Sequence, residues 1–266
     1  MSAQFIAADA VLISLQATLV ALPGAGVPQW LERLAGRAWA LILPLSIAVV
    51  VAAIALVPEV ANALTWVAFL LVPPGAALAL GWAMHGARPP YALVALVLFA
   101  LAWAETGTLA GDAAAALLTA LSTVTVGRLL AGGVPGEWLK AGIVAMALVD
   151  AILVFGNQLQ GPNATLNAAV PARGLPQLQF LDIHYASLGY GDVFVAGVLG
   201  GVLAAEQTRQ RPVALLVLLC SIAWDLLFLH FETLPATVPV AAALIVVELR
   251  RWTSRRRRRR ARPATT

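Results

Sequence analysis

The sequence predicts an all-α membrane protein, a polytopic bundle of nine transmembrane helices. Three observations carry that expectation. The chain is 61% hydrophobic and 11% charged, with a mean hydropathy of +0.87. Its apolar residues gather in runs close to bilayer length, and its basic residues collect on one side of those runs. A soluble domain of 266 residues could not hide so much apolar surface, so lipid must be its solvent.

Charged residues and Pro/Gly-rich stretches cut the chain into apolar segments at 4–22, 38–57, 62–84, 91–105, 109–130, 138–159, 187–206, 212–231 and 234–250. Most approach the ~20 residues that cross ~30 Å of hydrocarbon. The first is interrupted by Asp9 and Gln16. It lacks a basic leader and a small-residue cleavage site, so it reads as a retained span and not a signal peptide. The sixth holds Asp150, and the seventh opens on Gly189-Tyr190-Gly191-Asp192. The eighth carries Cys220, a small hydrophobe here, and Trp224-Asp225. One cysteine permits no internal disulfide. The ninth opens on Leu234-Pro235-Ala236 and closes on an arginine run.

Charge fixes the orientation. With a cytoplasmic C-terminus, the inner loops hold Arg33, Arg37, Arg88, Arg128, Lys140, Arg209 and Arg211, and the tail adds Arg250, Arg251, Arg255 to Arg260 and Arg262. Sixteen of the seventeen Lys/Arg are then inside and only Arg173 is outside, which predicts an integral protein of the cell membrane with its N-terminus outside. Residues 1–250 form one membrane domain, and 251–266 read as a disordered basic cytoplasmic tail. Such a juxtamembrane cluster is suited to anionic lipid. No aromatic interleaving or folded module points to nucleic acid.

The longest connection, about 160–186, lies on the outer face. Gly161, Pro162, Asn163, Asn167, Pro171, Gly174 and Pro176 give its first half turn chemistry. Gln177 to Tyr185 alternates polar and apolar residues and predicts a short strand.

An ionisable group inside a membrane span is costly, and is a functional candidate by default. Asp150 lies twelve residues after Trp138, ~18 Å from the inner face and ~12 Å below the outer one. Asp192, about six residues into the next span, is ~9 Å below the outer face. Similar depth lets the two carboxyls meet, where they would share a proton and titrate as a pair. One acts as general base on a water and the other as general acid toward a carbonyl, the logic of aspartic proteolysis. Gly189 and Gly191 permit close packing beside the second aspartate.

With Asp150 in one span, Gly189-Tyr190-Gly191-Asp192 opening the next and Leu234-Pro235-Ala236 opening the last, the chain resembles the presenilin and signal peptide peptidase family of intramembrane aspartyl proteases. The likeness is to a bacterial or archaeal-like homologue, by motif over the C-terminal four spans and by span count over the whole chain. It implies a presenilin-like bundle in which Asp150 and Asp192 catalyse and Leu234, Pro235 and Ala236 engage substrate. The orientation is that of signal peptide peptidase. The implied substrates are membrane-spanning peptides or signal-peptide remnants, with no metal and no cofactor. Val149 stands where the family carries tyrosine, and Thr237 where its Pro-Ala-Leu motif carries leucine. Tyr190 or Tyr185 could supply the missing aromatic, and Asp225 is a further candidate to support the pair.

Two other readings use the same acids. A proton- or ion-coupled transporter would bind its ion with them, although no internal repeat is visible in the sequence. A prepilin-peptidase-like protease also uses Gly-x-Gly-Asp, but its site should face the cytoplasm. The sequence has no His-Glu-x-x-His for zinc proteolysis and no glycine-flanked serine nucleophile motif.

Overall fold

The computed structural model describes residues 3–26, 36–231 and 233–260, so Arg33, Glu232 and Arg262 lie outside the described residues. The molecule is mostly helical: α1 (Ala3–Ala21), α2 (Ile42–Leu56), α3 (Val60–Leu78), α4 (Ala92–Ala104), α5 (Leu109–Gly133), α6 (Gly136–Phe155), α7 (Gln160–Ala168), α8 (Tyr190–Ala205), α9 (Gln210–Asp225) and α10 (Val238–Arg260). Short 3-10 turns extend α2, α4 and α9, and a π turn follows α3. Among the described residues, six helical segments are long and apolar enough to cross a membrane. They begin at Ala3, Arg37, Val60, Leu109, Gly136 and Gln210.

The centre of the molecule is α8. Every residue from Val193 to Ala204 is buried, as expected of a helix that is apolar all round. Its neighbours come close because glycine allows it. A Cβ on Gly197 would stand 2.5 Å from the Thr123 carbonyl oxygen of α5, and one on Gly200 would stand 2.7 Å from the Val20 carbonyl oxygen of α1. In lipid, where helices gain nothing by hiding apolar surface from each other, such small-residue contacts hold them together.

Three expectations about chain path are corrected. The first half of the 160–186 connection forms the helix α7, because Pro162 falls in its first turn, where a missing N–H costs nothing. The tail does not become disordered at 251; α10 runs on to Arg260. Arginine is a good helix former, Arg251 is anchored to Glu206 at 2.7 Å, and Arg256 stacks on Trp252 one turn earlier. Arg128 and Lys140 are not loop residues but buried helix residues. Arg128 donates to the Gly26 carbonyl at 2.6 Å and to those of Ala25 and Trp82, and lies 3.9 Å over the Trp82 ring.

Lys140 Nζ meets Glu206 at 2.6 Å, Glu248 at 3.0 Å and Glu137 at 3.2 Å, while Arg251 bridges Glu206 and Glu248. This network joins the ends of α6 and α8 to α10. A buried lysine is tolerated only when paired so completely.

The predicted strand is present. β1 (Phe180–Ile183) pairs antiparallel with β2 (Ala186–Gly189) in a hairpin, with Phe180 opposite Gly189 and Leu181 opposite Leu188. The hairpin turn carries His184, which pairs with Asp112 at 2.9 Å. Asp182 sits beside them. Burial holds its carboxyl above the ordinary carboxylate range; the charge of Asp112 adds to this, and His184 partly offsets it. A carboxyl raised in the folded state destabilises the fold above that raised value, and the penalty fades as pH falls toward the unfolded value. Asp182→Asn should therefore raise the unfolding temperature at neutral pH, and its advantage over wild type should shrink on acidification through the carboxylate range. A difference that does not change with pH would rule out this account.

Candidate active site

Asp150 and Asp192 are brought together by the packing of α6 on α8. A Cβ on Gly191 would stand 3.2 Å from Met146 Cε, so this glycine gives Met146 its place. Asp150 lies four residues beyond Met146, one turn on and on the same face. The two carboxyls are near enough for their charges to act on each other. Asp150 is 3% exposed, whereas Asp192 keeps part of its surface accessible.

The entry to α8 differs from the expected geometry. The chain enters as strand β2, turns at Gly189 and starts helix at Tyr190, so Asp192 occupies the third position of the first turn and not a site six residues into a helix. Its Oδ2 accepts from the Gly189 N–H at 3.0 Å, satisfying a donor that the helix start leaves unpaired. Here β1 packs on α5, and β2 contacts α1.

The third component is the segment before α10. Thr237, fully buried, donates its hydroxyl hydrogen to Asp150 Oδ2 at 2.6 Å, and its backbone N–H also bonds to Asp150. The preceding residues Leu234, Pro235 and Ala236 form the turn into that helix, with Pro235 buried. Thr237, the residue directly after the Leu234-Pro235-Ala236 run, thus holds one of the two carboxyls.

The fourth component is Gln16, 1% exposed on α1. Its amide nitrogen donates to the Asp192 carbonyl at 2.9 Å and to the Ala236 carbonyl at 3.0 Å. Both hydrogens of one side chain therefore clamp the start of α8 to the turn before α10. Sequence reasoning missed Gln16 and Thr237. A signal for Gln16 was available: Asp9 and Gln16 are seven residues apart, on one face of an otherwise apolar span.

The remaining candidates are elsewhere. The Tyr190 hydroxyl is hydrogen-bonded to Ser122 on α5 at 3.2 Å, and its ring stacks near Phe194, so it faces α5. Tyr185 is 52% exposed on the hairpin turn beside His184, and among the described residues no contact joins it to either aspartate. Asp225 hydrogen-bonds with Asp9 and not with Asp192. A cavity of about 370 Å³ opens on the hairpin side, lined by Thr106, Asp112, Gln177, Asp182 and His184 among others; neither Asp150 nor Asp192 lines it.

Thr237→Val keeps the side-chain shape and removes the hydrogen bond to Asp150. A hydrogen bond is worth about 0.5–1.5 kcal/mol net and up to about 3 where the acceptor is charged, so stability should fall by about 1–3 kcal/mol in thermal unfolding, and Thr237→Ser should restore it. A valine variant as stable as wild type would show that the bond carries no weight. Compared with protein-family models, curated proteins and solved structures, the chain matches none of them.

Proposed function

We propose that the protein is an intramembrane aspartyl protease that hydrolyses peptide bonds within membrane-spanning segments, with Asp150 and Asp192 as its catalytic pair. The observation that carries the proposal is the convergence of three distant segments on one pair of carboxyls. Thr237, just before the last helix, holds Asp150, and Gln16 of the first helix joins the backbone carbonyl of Asp192 to that of Ala236. In this reading the nine apolar segments are nine spans of a presenilin-like bundle. The N-terminus is outside, the C-terminus is cytoplasmic, and the arginine run lies against anionic lipid.

The chemistry follows from the pair. One carboxylate takes a proton from water as its oxygen attacks the scissile carbonyl, and the other carboxyl gives its proton to the carbonyl oxygen. Collapse of the tetrahedral intermediate returns a proton to the leaving amine and produces two chain ends. A helix in lipid has all its amides bonded internally, so the substrate must unwind first. The hairpin next to Asp192 and the Leu234-Pro235-Ala236 turn can hold an unwound strand by main-chain hydrogen bonds. A site near the outer face favours substrates whose N-terminus is cytoplasmic, such as signal-peptide remnants.

The test is incubation of the purified protein in detergent with a model membrane-spanning peptide. Wild-type protein should cleave it, helix-breaking residues in the peptide should speed cleavage, and Asp192→Ala should be inert. Equal cleavage by the alanine variant would overturn the reading and leave an ion-coupled carrier as its replacement.

A further inference from the structure

Helices α1 and α9 pack antiparallel along a seam whose two ends are fixed. At one end Gln210 donates to the Pro23 carbonyl at 2.9 Å. At the other, the carboxyls of Asp9 and Asp225 share a hydrogen bond, and Phe5 meets Phe228 edge-on with centroids 5.6 Å apart. The buried face of α9 runs from Gln210 through Val213 and Val217 to Ser221, one turn before Asp225. The fifteen residues from Asp9 to Pro23 thus lie against the sixteen of α9, from Gln210 to Asp225. That register puts Ser221 level with Ile13, between Asp9 and Gln16.

This apolar seam is where unsatisfied polarity concentrates. Four buried side-chain polar atoms lack a hydrogen-bond partner among the described residues, and three are Ser221 Oγ, Trp224 Nε1 and Asp225 Oδ2. Ser221 is only 1% exposed. The fourth, Gln179 Oε1, is on the strand side of the molecule. A buried polar group left without a partner destabilises the fold, and three lie within about one helical turn of this seam. Their chemistry is complementary to water: the indole N–H donates, the carboxylate oxygen accepts, and the hydroxyl does both. An internal water makes about three hydrogen bonds, which is what this group offers.

We propose that the α1–α9 seam binds internal water at Ser221, Trp224 and Asp225 and leads it to Gln16, at the back of the aspartate pair. The spacing suits bridging. Four residues of rise separate Asp225 from Ser221, ~6 Å, and three separate the level of Ser221 from that of Gln16, ~4.5 Å. Single waters span such gaps. The proposal rests on the protease reading for its purpose, because each peptide bond hydrolysed consumes one water in a region that lipid keeps dry.

Radiolytic hydroxyl-radical labelling of the full chain in nanodiscs tests the binding without reference to proteolysis. Radicals form from water beside a side chain, so Trp224 should be oxidised at doses that leave the exposed, lipid-facing candidates Trp66 and Trp103 untouched. Ser221→Val, which fills the space and removes the hydroxyl, should abolish Trp224 labelling and lower kcat several-fold with KM unchanged. Ser221→Ala gives an independent readout even if the valine variant fails to fold. A hydroxyl bonded to water is missed when removed, so the unfolding temperature should fall; a dry orphan would leave it level or raise it. Trp224 labelling no greater than that of Trp66 and Trp103, or an unfolding temperature unchanged or raised in Ser221→Ala, would overturn the proposal. If Trp224 labels strongly while no spanning peptide is cut by wild-type protein, the water site stands and the protease reading falls. If wild type cleaves but Trp224 is unlabelled, the reverse holds.

Discussion

Asp150→Asn and Asp192→Asn are each expected to reduce cleavage of a membrane-spanning peptide to background. Asparagine matches aspartate in shape, so the Thr237 and Gly189 contacts can persist while the exchangeable carboxyl proton is lost. A positioned acid or base contributes about 10²–10⁴-fold to rate, and each carboxyl has a separate task, so neither can cover for the other. The two variants should differ in stability. Asp150 is 3% exposed and accepts both the hydroxyl and the backbone N–H of Thr237, whereas Asp192 bonds at the accessible start of its helix. Asp150→Asn should therefore disturb unfolding more, because its amide presents one acceptor where the carboxylate has two. Thermal unfolding beside a peptide-cleavage assay separates the two effects. Wild-type rates from both variants would remove the pair from catalysis.

Gly197→Leu should be among the most destabilising single changes in the molecule. A Cβ at Gly197 would lie 2.5 Å from the Thr123 carbonyl oxygen and 2.9 Å from its carbon. Across the same interface, Cβ atoms on Gly127 and Gly201 would lie 2.2 Å and 2.4 Å from the carbonyl oxygens of Gly197 and Gly127. The obstructions are backbone atoms, which cannot rotate away, so α5 and α8 must separate. Overpacking of this kind costs about 1–3 kcal/mol or more. Because Asp192 lies five residues earlier on α8, the change should also displace it and depress activity in whatever fraction remains folded. Gly161→Ala is the control, since a Cβ there meets nothing within 4 Å. Equal unfolding temperatures for the two variants would show that the α5–α8 contact is not a close one.

The lysine network offers a structural complement to the aspartates. The helices whose residues meet near Asp150 and Asp192 are α6, α8 and α10, and the ends of α6 and α8 are tied to α10 again through Lys140, Glu206, Glu248 and Arg251. Two junctions fix the relative position of these helices better than one, which suits a site where misplacement by an ångström matters.

The sequence by itself determined what depends on composition and on spacing along the chain. Its apolar runs marked the main helices, and the alternation of Gln177 to Tyr185 marked the hairpin strand. Asp150 and Asp192 stood out because a charge in an apolar run has no cheap alternative explanation. Tertiary structure alone decided what depends on distance through space. Gln16 reaches residues 176 and 220 positions away, and Thr237 reaches Asp150 across 87. No local pattern encodes such a meeting, because Gln16 in isolation looks like a flaw in a span. The same holds for the Asp9–Asp225 bond and for the helical continuation to Arg260, which depends on partners supplied by other helices. Local propensity and hydropathy select the elements, but the hydrogen bonds that join polar side chains are selected by packing.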